Sequence, residues 1–205
     1  MARPCVRREA SRKGLGRGPT RKMTESESTT ARSIAELLFD CGAHQGVYLV
    51  IDGAKVPVLV EALEEHDLDA DCVFPGQLAP DVASVAPYVV RVEAQGQFTD
   101  WILSEHWGQS ALIALRSEHD LRSVVKHLRQ LKSAQLPDGT RAYFRFYDPR
   151  VLRAYLPTCT EDELGKVLGG VLDSLWVEAR GGGTALEFSA ETGHEPRRHP
   201  VIEQT

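Results

Sequence analysis

Cysteine is sparse and shows no paired spacing: Cys5, Cys41, Cys72 and Cys159 are spread through 205 residues without a Cys-x-x-Cys. That spacing excludes the compact zinc and redox motifs built on neighbouring thiolates, and without an apolar signal core reduced thiols are expected rather than disulfides. No run of about twenty apolar residues occurs, so no membrane-spanning helix is expected and the protein is read as soluble and cytoplasmic. Catalytic signatures are missing too. There is no Gly-x-x-x-x-Gly-Lys-Ser/Thr to cradle phosphates, no Gly-x-Ser-x-Gly nucleophile elbow and no His-Glu-x-x-His zinc helix. Asp67-Leu68-Asp69-Ala70-Asp71 starts like a calcium loop, but Cys72 stands where glycine is needed and Leu78 where the bidentate Glu is needed. Ser104-Glu105-His106 and Ser117-Glu118-His119 set triad-type residues side by side, whereas working triads converge from separate segments. Gly14-Leu15-Gly16-Arg17-Gly18 follows no strand and precedes Pro19, so a dinucleotide loop has no frame there. No metal, no cofactor and no enzymatic activity are expected.

What remains is the make-up of one globular domain, with 42% hydrophobic and 26% charged residues. A chain of this size buries about two thirds or more of its unfolded surface. The net charge of -5 hides an asymmetry: residues 1–22 hold eight Arg or Lys against one Glu, leaving 16 basic against 28 acidic residues and a formal charge of -12. So acidic a body argues against nucleic-acid binding, which needs a basic face to displace counterions. Residues 1–28 lack periodicity and are rich in Arg, Gly, Ser and Thr, so they are expected as a disordered basic leader, with Met23 as an alternative start. Residues 30–178 are expected as a single α/β domain and 179–205 as a flexible polar tail, in which 184–189 has the pattern of an added edge strand.

Within the domain, Ile34, Leu37, Leu38 and Cys41 recur at helical spacing. Residues 46–52 read as a β-rich strand, and Pro57 opens a helix whose apolar face is Val58, Leu59, Ala62 and Leu63. Further strands are expected at 88–92, 111–115 and 172–177. Thr99 is read as a helix cap, with Phe98 and Leu103 at staple spacing, and Trp101 and Trp107 as core residues near the other end. Ser117 with Asp120, and Thr160 with Glu163, have capping-box spacing ahead of amphipathic runs; Gly169 suits the stop of the second. Strands alternating with helices, plus one hairpin, imply an α/β fold: a mixed β-sheet of about five or six strands with packed helices.

The hairpin is read around Leu136-Pro137-Asp138-Gly139-Thr140, pairing 132–136 with 141–147. Alternation sets Ala142, Phe144 and Phe146 on one face and Arg141, Tyr143, Arg145 and Tyr147 on the other, an Arg/Tyr ladder. Asp148 is read as a helix N-cap in preference to a catalytic carboxylate, with Pro149 in the first helical position. For the ladder, partner binding and a plain solvated face both stay open, because burying both guanidiniums would require partners for each.

These residues also carry a resemblance. Leu136-Pro137-Asp138-Gly139, then Phe144-Arg145-Phe146-Tyr147-Asp148-Pro149-Arg150-Val151-Leu152, then Leu156-Pro157-Thr158 resemble a bacterial adaptor family, the type VI secretion effector chaperones catalogued as a domain of unknown function. Val47-Tyr48-Leu49-Val50-Ile51-Asp52-Gly53-Ala54, Ala86-Pro87-Tyr88-Val89-Val90 and Trp107-Gly108 support the likeness, which covers about residues 46–178. It implies a noncatalytic bacterial cytoplasmic protein that holds a secreted effector (a toxin) and loads it onto the VgrG spike protein. Tyr143, Arg145, Tyr147 and Arg150 are then the candidate partner-binding residues, with Asp148 and Pro149 as the structural cap. On this reading Arg145→Ala with Tyr147→Ala leaves the fold intact and abolishes effector capture. The alternative is a small-molecule or nucleotide enzyme using Asp52 and Asp148 at the carboxyl ends of strands.

Overall fold

A computed structural model describes residues 34–135 and 141–201. The expected leader and the turn residues 136–140 lie outside the described residues.

The strand β1 (Gly46–Asp52) is a near-continuous apolar run because both its faces are covered. Tyr48 and Val50 enter one core, while Val47, Leu49 and Ile51 enter the other. β1 pairs with β3 (Pro87–Val92) on one side and β4 (Leu112–Ser117) on the other. β2 (Ala70–Cys72) adds to β3, and β7 (Ser174–Glu178), β8 (Thr184–Ser189) and β9 (Arg197–Pro200) continue from β4. The order is β2-β3-β1-β4-β7-β8-β9, and every pairing is antiparallel. Helix α1 (residues 34–39), α2 (Leu59–Glu65) and α4 (Gln97–His106) cover one face. α5 (Leu121–Leu131), α6 (Pro149–Tyr155) and α7 (Glu161–Leu168) cover the other. The single turn α3 (Pro80–Ala83) lies in the β2–β3 connection and buries none of its residues. β5 (Ser133–Gln135) and β6 (Arg141–Tyr143) form a separate antiparallel ribbon.

The α/β class holds, but the mixed sheet of about five or six strands is corrected to seven antiparallel strands. β2 is only three residues long, too short for a periodicity signal. Within the segment expected as a flexible tail, the edge-strand pattern at 184–189 forms β8, and a further strand, β9, follows it. Gly181 and Gly182 take positive φ (82° and 77°) in the turn between β7 and β8, where side chains would be strained. Glu187 on β8 is buried and meets His199 at 2.8 Å, Arg197 at 3.7 Å and Arg116 at 4.0 Å. Trp176 stacks with the ring of His199 (4.7 Å) and has the guanidinium of Arg116 4.6 Å from its ring centroid.

Three helix starts differ in detail. α4 begins after Gly96, so Thr99 sits buried inside its first turn rather than capping it. Asp120 caps α5 by itself, accepting from the Ser123 N–H at 2.9 Å, while Ser117 ends β4 and donates to the Val171 carbonyl. α2 begins at Leu59 and leaves Val58 outside the buried face, 56% exposed. The Thr160–Glu163 capping box forms as expected, and Gly169 ends α7 in the left-handed conformation. Trp107 is buried, its Nε1–H donating to the Gly182 carbonyl at 2.9 Å.

Candidate partner-binding surface

β6 stops at Tyr143, and the signature then leaves the sheet. The Phe144 N–H donates to the Lys132 carbonyl at 2.9 Å as the ribbon's last bond, and the Asp148 N–H folds back to the Arg145 carbonyl at 3.0 Å. That turn breaks the expected alternation. Phe146 and Tyr147 both enter the core, at 1% and 3% exposure, while Tyr143 stays 51% exposed and Arg145 is open to solvent. Tyr147 is therefore not an outward rung of the ladder. Its hydroxyl accepts from Arg145 Nε at 3.3 Å, and the guanidinium lies 5.8 Å from its ring centroid. A buried ring thus positions the exposed cation. Tyr143 packs its ring against Phe74 at 6.3 Å. Burial, with hydrogen bonding to Tyr147, pushes its hydroxyl well above the ordinary tyrosine value, so it remains a neutral donor.

Asp148 is the helix cap the sequence implies. Its Oδ1 accepts the Arg150 N–H at 2.9 Å, Pro149 fills the first helical position, and the Arg150 guanidinium grips both carboxylate oxygens, the closest contact being 2.7 Å. Burial alone would raise its carboxyl. The bonds from Arg150, with the charges of Arg150 and Arg145, outweigh that and hold it below the ordinary carboxylate value.

Asp52, 96 positions from Asp148 in the chain, ends β1 in the same neighbourhood. It is buried and accepts the Ala54 N–H at 3.1 Å. Burial pushes its carboxyl up; the Ala54 bond and the nearby Arg145 charge work against this, and Asp148 adds to it. Gly53 fixes this corner. Its N–H donates to the Ala86 carbonyl at 3.1 Å, and a Cβ there would lie 2.5 Å from that same oxygen. The structure therefore unites Tyr143, Arg145, Tyr147, Asp148, Pro149 and Arg150 with Asp52, and adds Phe74. Both carboxylates face inward, while Arg145 and Arg150 face outward. Phe74 gave no sequence signal, because its partner Tyr143 lies 69 positions away.

The adjacent Ser, Glu and His residues do other work. Ser104 donates to the Trp101 carbonyl, Glu105 accepts from Trp101 Nε1, and Ser117 accepts from the His119 N–H. Among the described residues, no group of three or more His, Cys, Asp or Glu is arranged to hold a metal ion, and no helix is long and apolar enough to cross a membrane.

The class is thus a three-layer α/β domain whose signature turn is largely buried and presents Arg145 and Arg150 to solvent. Residues 47–166, more than half of the chain, match the model of the family described as a domain of unknown function, DUF4123, and the chain belongs to that family. The matched span runs from β1 into α7 and contains the whole signature. Neither the curated proteins nor the solved structures gave a match to the chain.

Proposed function

We propose that the chain is a noncatalytic adaptor of bacterial type VI secretion, which binds a secreted effector and helps load it onto the VgrG spike. On this reading it works in the bacterial cytoplasm, with proteins as partners rather than membrane or nucleic acid. The observation that carries the proposal is the outward-facing set Tyr143, Arg145 and Arg150 on the family signature, above carboxylates that are already covered. Arg and Tyr bury large flat areas while keeping polar tips, which is why they concentrate at interface hot spots. The resemblance of the same residues to effector chaperones supports it.

The test is capture of the effector and of VgrG by the full chain. Tyr147→Ala is not a clean probe, because the Tyr147 ring is core. Tyr143→Ala with Arg145→Ala leaves the core rings Phe146 and Tyr147 in place and gives up only the Phe74 contact and the bonds to the Tyr147 hydroxyl, so the melting temperature should fall little while effector capture is lost. Undiminished capture would sink the reading. One observation favours the enzyme alternative: Asp52 and Asp148 sit near one another with carboxyls pushed in opposite directions. A thermal shift with nucleotides or metal ions, and none with a partner protein, would favour that reading.

A further inference from the structure

Of the Arg and Lys residues on α5, Arg122 and Lys126 are exposed, whereas Arg129 is partly buried and reaches over the margin of the sheet to β2. Its Nη2 donates to the Cys72 carbonyl at 2.7 Å and to the two Asp71 carboxylate oxygens at 3.1 and 3.2 Å, and its Nε donates to the Val73 carbonyl at 3.3 Å. The ladder explains why these carbonyls need a donor. β2 is a margin strand, and two bonds fix which of its groups face β3: the Arg91 N–H to the Asp69 carbonyl and the Val73 N–H to the Pro87 carbonyl. Antiparallel alternation then turns the Cys72 backbone away from β3. In a continuing ladder the Val73 carbonyl would take the N–H of residue 87, which is a proline and has none. Val73 is fully buried, so an unpaired carbonyl would be costly there. Arg129 therefore supplies side-chain donors where the ladder runs out. The next residue carries the effect to the signature. Phe74 packs against the same core as Phe144 and meets the Tyr143 ring at 6.3 Å. From the other side Lys132, which ends α5, accepts the Phe144 N–H at 2.9 Å. The last turn of α5 thus ties down both segments whose rings meet at Tyr143, the exit of β2 and the exit of β6.

We infer that Arg129 is a positioning residue for the partner-binding surface: by fixing the exit of β2 it holds Phe74 against Tyr143, so that the exposed Tyr143 ring meets the effector already in place. The inference rests on the adaptor reading for what the ring binds, and on geometry alone for how the ring is held. Fixing an interface aromatic beforehand removes the cost of ordering it on binding. The bonds to the two carbonyls carry the effect. The ion pair with Asp71, whose side chain is 48% exposed, adds little.

Two measurements on the full chain test this. In the first, nuclear Overhauser contacts between the Phe74 and Tyr143 rings are compared in the wild type, Arg129→Ala and Asp71→Asn. They should be lost in Arg129→Ala and kept in Asp71→Asn. In the second, effector affinity is measured through a cycle of Arg129→Ala, Tyr143→Ala and the double variant. Arg129→Ala alone should weaken binding by about five- to tenfold, and by less than about twofold once Tyr143 is absent. Arg129→Lys keeps the charge but not the planar fork of donors, so it runs both measurements, with smaller losses, if Arg129→Ala does not fold. Ring contacts unchanged in the Arg129 variant overturn the inference. So does a loss of affinity as large without Tyr143 as with it, which would make Arg129 a direct contact or a general support of the fold. If the wild-type chain captures no effector, the adaptor reading falls, and the ring contacts still decide whether Arg129 places Tyr143.

Discussion

Gly169→Ala tests whether the end of α7 depends on one glycine meeting two constraints. Gly169 has φ of 59°, a conformation that costs an L-residue roughly 1–2 kcal/mol. An alanine Cβ would also lie 2.2 Å from His127 Cε1 and 2.6 Å from Nδ1. His127 is a buried residue of α5 whose Nε2 bonds the Val167 carbonyl at 2.7 Å, so the ring cannot retreat without breaking that bond. Losing a buried hydrogen bond costs about 1–3 kcal/mol, which brings the expected loss to about 3 kcal/mol. For a domain of this size, that lowers the melting temperature by about 6–12 °C. Gly170→Ala is the control. Gly170 has φ of 64° but open space around its Cβ position, so only the backbone penalty applies and the drop should be about half as large. Gly165→Ala, inside α7 with nothing near its Cβ position, should raise stability by up to about 1 kcal/mol. Thermal melts followed by circular dichroism, with urea titrations for the free energies, read all three. Equal losses for Gly169→Ala and Gly170→Ala would refute the role given to His127.

Glu178 is a buried carboxylate that accepts from the Gly108 N–H at 2.5 Å, the Ser110 N–H at 2.9 Å and the Ser110 hydroxyl at 3.1 Å, with Arg153 at 3.7 Å. Glu178→Ala should cost about 3–5 kcal/mol in urea unfolding, because it leaves three donors unpaired and takes the counter-charge from Arg153, which keeps only its bond to the residue 178 carbonyl; a loss under about 1 kcal/mol would refute it. The folded Asp148 carboxyl lies below its unfolded value, so its stabilisation is complete above that unfolded value, about pH 4, and is lost as pH falls through the lower folded one. Asp148→Ala should therefore cost about 1 kcal/mol at pH 7 and progressively less below about pH 4, so a pH-independent deficit in unfolding free energy would contradict the assignment.

The elements legible in the sequence are those whose signals are local. β1, β3 and β4 are apolar runs, and the Asp148-Pro149 cap and the Thr160–Glu163 box each lie within a few residues of what they bond. Alternation failed where the chain turned without glycine to mark it: the Arg145 carbonyl takes the Asp148 N–H, and Tyr147 rotates into the core. β8 was legible as an edge-strand pattern over 184–189, whereas β9 looked polar because Arg197 and His199 meet Glu187 across the strands, a pairing visible only once the register is known. At the candidate site, Tyr143, Arg145 and Arg150 were legible as residue types and Asp52 as a strand-end carboxylate beside Asp148, but the approach of Phe74 depends on long-range packing that periodicity does not encode.

β7 aligns Leu175 and Trp176 opposite Leu115 and Ala114 of β4, and it begins beyond residue 166, where the family match stops. The matched segment is consequently smaller than the folded sheet. Excising the module at the homology boundary would turn an interior strand into a bare hydrophobic margin, prone to pairing with stray chains. Anyone transplanting this domain should carry it through Val201, whose buried side chain closes the last layer.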